Sequence, residues 1–352
     1  MPPLLEIDDL RVGFATDAGE IRAVDGVSLA LQRGEVLGLV GESGCGKSAL
    51  ALAVPRLLPM PPARIEAAAI RLDGVDLATL SDHGRRGLRG RRIGVIFQEP
   101  MTALSPLHRI GDQLVEAIRL HRRLPRREAR GEALDWLARV GIADPVQRLR
   151  AWPHELSGGM QQRVMIAMAL VHDPDLIIAD EPTTALDVTT QAQVLELMRR
   201  LRRGNSGLLL ITHDMGVIAV MATRVAVMYA GQIVETAPSR ELFARPGHPY
   251  TQALLAALPS AATRGRRLQA IPGQVPSPLA WPTGCRFRDR CSRAMPRCAA
   301  PPPLYTWGDG HEVRCFLAEM PGGAGDARGA SRPPAEAPGS NEPSPAAAAP
   351  PG

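Results

Sequence analysis

Residues Gly41-Glu42-Ser43-Gly44-Cys45-Gly46-Lys47-Ser48 have the G-x-x-x-x-G-K-[ST] spacing with which a backbone wraps a phosphate. The glycines let amide N–H groups face the anion, the lysine brings a compact ammonium, and the serine hydroxyl can ligate Mg²⁺. Lys47 is the sole lysine among the 41 basic residues of the chain; all the others are arginine. A planar guanidinium is too wide to reach between two phosphates inside a tight loop, so this position resists the exchange. Gly41, Ser43, Gly44, Cys45, Gly46, Lys47, Ser48 and Ala49 are therefore the expected nucleotide contacts. The loop's positive field would favour a Cys45 thiolate, but a small residue where the loop needs one is the simpler account and the one adopted.

Other chemistry-bearing residues fall at the ends of apolar runs. Gln98 follows Ile93–Phe97, Asp180-Glu181 follow Leu176–Ala179, and His213 follows Leu208–Thr212. A carboxylate such as Asp180 at a strand end can hold Mg²⁺, with Ser48 and Gln98 as further oxygen donors. Glu181 is placed to orient or deprotonate a water for in-line attack on a γ-phosphate, and His213 to bond that phosphate or position the water. Leu156-Ser157-Gly158-Gly159-Met160 puts small residues and a hydroxyl at the start of a helix, which makes a second anion-binding nest. If the two phosphate surfaces cannot face each other within one subunit, catalysis needs two. Asp187 follows the Asp180-Glu181 pair after a Pro-Thr-Thr turn.

These groups need a scaffold that brings strand ends together. Val36–Val40 is wholly apolar, as a buried parallel strand should be, and a helix should start near Lys47 and kink or end at Pro55. Residues 4–13 and 21–31 read as strands, and 64–98 as strands and turns. Phe14 ends the first strand, where it could stack on a base or fill a core. Residues 110–150 show apolar positions at helical spacing between arginine-rich faces, which predicts a helical insertion; the basic stretch Arg119–Arg130 reads as a solvated helix face. Alternating strands and helices imply an α/β domain with ligand groups at the carboxyl ends of parallel strands.

Composition narrows the function. The 352 residues allow two or three domains, and a formal charge of +5 is modest and unclustered. Aromatics at 3% are too few for the stacking platforms of single-strand nucleic-acid binders. No apolar run approaches the roughly 20 residues of a membrane span, and the N-terminus lacks signal-peptide character, so a cytoplasmic protein is expected, reaching a membrane only through partners. Apart from Cys45, the cysteines cluster as Cys285, Cys291, Cys298 and Cys315. In a reducing compartment that reads as metal or iron–sulfur ligation; their spacing matches neither bacterial ferredoxins nor zinc ribbons, so Zn²⁺ stays a rival. From Pro321 onward Pro, Gly, Ala and Ser dominate, which predicts a disordered tail.

Taken in order, the motifs resemble the ATP-binding-cassette (ABC) ATPase domain over roughly residues 4–255: Walker A at Gly41–Ser48, Q-loop Gln98, signature Leu156–Met160, Walker B through Asp180, Glu181, D-loop Asp187 and switch His213. Met160 departs mildly, standing where Gln is commonest. The resemblance implies a P-loop NTPase of ABC type, with a mostly parallel core sheet, an antiparallel β subdomain and a helical insertion (about 100–170) within residues 1–255. It implies ATP and Mg²⁺, base stacking by Phe14, and a head-to-tail dimer in which Ser157, Gly158, Gly159 and Met160 meet the partner's ATP. Phe97–Pro106, Met160–Leu170 and His248–Leu255 are similar to the peptide-importer subfamily. Residues 256–320 resemble its small cysteine-rich C-terminal extension, where the four cysteines are associated with a [4Fe–4S] cluster; residues 321–352 form the tail. The implied partners are two membrane permeases, a second ABC ATPase (a paralogue rather than a copy) and, indirectly, an extracytoplasmic solute-binding protein, with the chain peripheral on the cytoplasmic face of the membrane. The transported solute would be a di- or oligopeptide or a relative such as nickel. A soluble cassette ATPase acting on nucleic acid or ribosomes is the alternative, but one cassette and a short insertion argue against it. A non-hydrolysing nucleotide sensor is disfavoured by the presence of both Glu181 and His213.

Overall fold

The computed structural model describes residues 2–184, 186–258 and 271–319. The tail expected from Pro321 onward lies outside the described residues.

The chain opens with a long hairpin, β1 (Leu5–Thr16) and β2 (Gly19–Leu31), followed by β3 (Val36–Val40) and α1 (Lys47–Ala53). The short strands β4 (Ala63–Glu66), β5 (Ala69–Leu72) and β6 (Val75–Asp76) come next, then α2 (Asp82–Leu88) and β7 (Ile93–Ile96). The insertion comprises α3 (Pro100–Ala103), α4 (Ile110–Leu120), α5 (Arg126–Arg139) and α6 (Pro145–Arg148), and α7 (Gly158–Leu170) returns from it. The remaining elements are β8 (Leu176–Asp180), α8 (Val188–Leu201), β9 (Gly207–Ile211), α9 (Met215–Met221), β10 (Arg224–Tyr229), β11 (Gln232–Pro238), α10 (Ser239–Ala244), α11 (Pro249–Ala256), β12 (Tyr305–Gly308) and β13 (His311–Val313).

Two sheets result. The smaller is antiparallel, in the order β2-β1-β5-β6 with β4 on β1. The larger runs β12-β13-β11-β10-β3-β9-β8-β7 and is parallel from β10 to β7. Every residue of β3, β8 and β9 is buried. Because successive side chains on a strand point to opposite faces, these strands feed two cores. Leu37, Leu39, Ile178, Leu209 and Ile211 pack toward the antiparallel sheet with Leu5, Ile7, Val12 and Leu72. Val36, Val40, Ile177, Leu208 and Leu210 pack toward the helical side with Leu114, Trp136, Leu137 and Val164. The central sheet is thus the middle of three layers, which is why its strands are apolar on both faces.

Residues 64–98 differ from the expectation of strands and turns by one helix, α2. Its start is marked by Ser81, whose hydroxyl accepts from Gly84 N at 3.2 Å. No residue of α2 is buried, so it carries no apolar stripe to read. Helix α1 stops at Ala53, ahead of Pro55, as its sequence requires.

The C-terminal extension is built into the large sheet. β13 pairs antiparallel with β11, and β12 with β13. Behind them the fully buried Glu235 accepts from Gly247 N at 2.7 Å and His248 N at 2.9 Å, and its Oε1 lies 2.8 Å from His311 Nε2. A buried carboxylate needs such partners, and here they join β11, the segment before α11 and the extension. Among the described residues, no helix is long and apolar enough to cross a membrane.

Candidate functional site

The parallel register lines up the strand ends that carry the chemistry. Leu39 pairs with Ile211, Ile211 with Asp180, and Ala179 with Ile96. The loop after β3, the acidic pair at the end of β8, His213 after β9 and Gln98 after β7 therefore emerge side by side. There, Asp180 apart, they line a cavity of about 740 Å³ with Gly41, Glu42, Ser43, Gly44, Gly46, Lys47, Ser48, Ala49, Gln98, Glu181 and His213 on its walls. That volume is in the range of small-molecule sites.

Lys47 sits inside the curl of the loop, only 5% exposed, with Nζ donating to Gly41 O at 2.8 Å and Glu42 O at 3.0 Å. The curl depends on Gly46, whose φ of 107° belongs to the left-handed side and whose missing Cβ would stand 2.2 Å from Ala23 O. Cys45 is fully buried and packs into the core beneath the loop. Burial pushes its thiol up despite the nearby Lys47. Its side chain therefore lies outside the cavity wall, and only its backbone is left for a nucleotide; the redox reading loses its premise.

Asp180 is buried, and burial pushes its carboxyl above the usual carboxylate range, Ser48 and Lys47 partly opposing and Glu181 adding to the rise. Its Oδ1 is buried with no hydrogen-bond partner. An orphaned carboxylate oxygen beside a serine hydroxyl, with Gln98 on the same wall, is a donor set that fits Mg²⁺. Held there by Ser48, Asp180 and Gln98, the ion would offset phosphate charge.

Glu181 has φ 45°, an uncommon left-handed conformation for a residue with a Cβ, and its N donates to Ile211 O at 2.9 Å. This bend turns its carboxylate into the cavity. Oε2 accepts from Gln98 Nε2 at 3.3 Å and Thr184 Oγ1 at 2.9 Å, while Oε1 lies 3.3 Å from His213 Nδ1. A carboxylate held by three neighbours at a phosphate cavity can orient and deprotonate a water.

The structure does not bring every expected residue here. Ser157 caps α7, accepting from Met160 N at 3.4 Å, with Ser157 and Gly158 exposed and Gly159 and Met160 half-buried. None of the four lines the cavity. Asp187 caps α8 through Thr190 N at 3.0 Å and Thr190 Oγ1 at 2.7 Å, bonds that hold its carboxyl below the usual range. Phe14 is half-buried against the core under the antiparallel sheet and is not among the cavity's lining residues. Five residues not among those expected also line the wall: Val40, Glu42, Thr184, Met215 and Leu254. Thr184 sits in the Pro-Thr-Thr turn, where a hydroxyl beside Glu181 was a readable signal; Met215 and Leu254 carry none.

In the extension, Cys285, Cys291, Cys298 and Cys315 are free thiols that lie within each other's electrostatic reach. Burial first, and the neighbouring thiols after it, push Cys285, Cys291 and Cys315 up, Cys315 to about 11. Among the described residues, no three His, Cys, Asp or Glu side chains converge so as to hold a metal ion. The geometry thus gives no support to zinc, nor by itself to an iron–sulfur cluster.

A doubly covered parallel sheet with a glycine-rich phosphate loop, a strand-end Asp-Glu pair and a second, outward-facing nest defines a cassette-type nucleotide hydrolase. Residues 24–184 match the ABC transporter family, and residues 234–298 the oligopeptide/dipeptide transporter C-terminal region. A putative peptide import ATP-binding protein of Brucella abortus is 49% identical over 327 residues, covering 89% of this chain and 97% of the relative. The dipeptide transport ATP-binding proteins DppD of Bacillus subtilis and Escherichia coli are 46% and 48% identical, over 91% and 89% of this chain and 96% of each relative. Among solved structures, a dimeric ATP-binding cassette in a post-hydrolysis state with ADP and Pi aligns with a TM-score of 0.60 and 27% identity, over 67% of this chain and 99% of that one. The chain belongs to the ABC transporter ATPases, in the branch that carries the oligopeptide/dipeptide transporter C-terminal region.

Proposed function

We propose that this chain hydrolyses ATP to drive import of di- or oligopeptides, or of a related small solute such as nickel, from the cytoplasmic face of the membrane. The observation that carries the substrate class is near-full-length identity, extension included, to relatives named for peptide import. In this reading Glu181 activates the attacking water, His213 and Gln98 position it around the γ-phosphate, and Ser48, Asp180 and Gln98 hold Mg²⁺. Gly41, Ser43, Gly44, Cys45, Gly46, Lys47, Ser48 and Ala49 hold the phosphates. Ser157, Gly158, Gly159 and Met160 close on ATP bound by a second cassette, a paralogue rather than a copy, and Asp187 lies at that junction. The outward position of this nest supports the head-to-tail arrangement, as does the likeness to a cassette solved as a dimer.

Two permeases would dock beside the Q-loop. An apolar hollow of about 220 Å³ there is walled by Leu57, Phe97, Ala103, Leu104, Met165 and Met168, and Met101 and Leu107 stand exposed nearby. An apolar groove between the catalytic sheet and the helical insertion suits a helix that feels both move. The four cysteines are assigned to a [4Fe–4S] cluster on the resemblance of the extension alone, with Zn²⁺ as the rival. Iron, sulfide and zinc assays with visible absorption decide this, and protein free of all three would remove the cluster. For transport, the test is purification of the tagged chain from its native membranes. Two permeases and a second ATPase should accompany it, and vesicles carrying that complex should take up peptide only with ATP. A chain recovered with ribosomes or nucleic acid would favour the alternative.

A further inference from the structure

The phosphate loop contains an acid that its chemistry does not call for. Glu42 follows Gly41 and lines the nucleotide cavity. A free carboxylate there would repel the phosphates that the loop exists to bind. Arg290, 248 residues further on, removes that problem. Its Nη1 donates to Glu42 Oε2 at 2.7 Å and its Nη2 to Oε1 at 3.0 Å, a two-pronged pair that fits a carboxylate edge. The guanidinium is itself pinned: Nε donates to Pro272 O at 2.8 Å, Nη1 reaches the Tyr229 hydroxyl at 3.3 Å, and the side chain is only 5% exposed. The Glu42 backbone is held as well, its N donating to the Tyr250 hydroxyl at 2.8 Å and its O accepting from Lys47 Nζ at 3.0 Å. Tyr229 and Tyr250 stack around Phe287, three residues before Arg290.

We infer that Arg290 of the C-terminal extension is a positioning residue of the ATP site, which neutralises the Glu42 carboxylate and turns it toward the extension so that the loop can accept phosphates. The inference rests on the cavity being the ATP site, as proposed above. Arg290 touches no substrate; it acts through Glu42. The extension is then part of the nucleotide machinery as well as an added pair of strands in the sheet.

The test uses the full chain, with binding of a fluorescent ATP analogue read on the isolated protein and ATPase on the assembled complex. Arg290→Gln should weaken analogue binding and raise KM for ATP about tenfold, with kcat changed less than about twofold, because the chemistry at Glu181 is untouched. Arg290→Lys should recover part of the loss, since it keeps the charge and loses the fork. Adding Glu42→Gln to Arg290→Gln should restore binding to near the wild-type level, because the repelling charge is gone; a merely structural role for Arg290 would leave the double variant as weak as the single one. If Arg290→Gln does not fold, Glu42→Gln alone decides: it should bind at least as tightly as wild type. Wild-type affinity in Arg290→Gln, no recovery in the double variant, or weaker binding by Glu42→Gln would each overturn the inference. Failure of wild type itself to bind the analogue would overturn the reading of the cavity and this inference with it, whereas tight wild-type binding with an indifferent Arg290→Gln would overturn this inference alone.

Discussion

Glu181 combines an uncommon backbone with a crowded carboxylate. Its left-handed φ of 45° costs on the order of 1 kcal/mol, and the bend aims the side chain at Gln98, Thr184 and His213. Replacing it with Gln keeps the shape and removes the base. Turnover of ATP in Glu181→Gln should fall at least a hundredfold with ATP still bound, measured by phosphate release and by nucleotide retained after gel filtration. Turnover within a few-fold of wild type would remove its assigned role. Lys47, Asp180, Glu181 and His213 were legible because each has a fixed offset from an apolar run. Glu42 and Arg290 were not, because their meeting depends on how the extension folds back across 248 positions. Phe14 was readable as a strand-end aromatic, but the face of the strand that it occupies depends on the packing of two sheets.

At the scale of elements, the loop and the caps carry the consequences. Gly46 precedes α1 with φ 107°, and a methyl group there would press on Ala23 O at 2.2 Å. Gly46→Ala should therefore open the loop and lower ATP affinity at least tenfold, seen by titration with a fluorescent nucleotide. His248 caps α11, its Nδ1 accepting from Tyr250 N at 3.0 Å, a role that only the neutral ring can play. Burial pushes His248 down to about 4, with Glu235 opposing weakly. The unfolded chain then binds the extra proton first, so this contribution is present above about pH 6.5 and is lost as pH falls toward 4. It should remove about 2 kcal/mol by pH 5. Melting curves should show His248→Asn, which can still cap, losing less stability than wild type between pH 7 and 5; equal losses would place the acid sensitivity elsewhere. The strands β3, β8 and β9 were readable as unbroken apolar runs because both their faces are covered. Helix α2 was hidden by its opposite property: with no buried residue, and with Gly84 and Gly87 inside it, it has no period to detect.

At the scale of the molecule, a two-core sheet gathers the loop, acid and histidine at its strand ends and leaves Ser157 and Gly158 exposed at the start of α7. On the proposed reading the cavity is half of a site, completed by another subunit's nest. Ser157→Arg separates the halves, because Ser157 lies outside the cavity that its own subunit presents. The decisive measurement compares this variant with wild type twice: nucleotide affinity of the isolated chain, and ATPase of the assembled transporter. Affinity should be unchanged in the first, and activity should fall at least about tenfold in the second. If Ser157→Arg weakened nucleotide binding by the isolated chain as much as it slowed the complex, the site would be whole within one subunit and would need no second cassette.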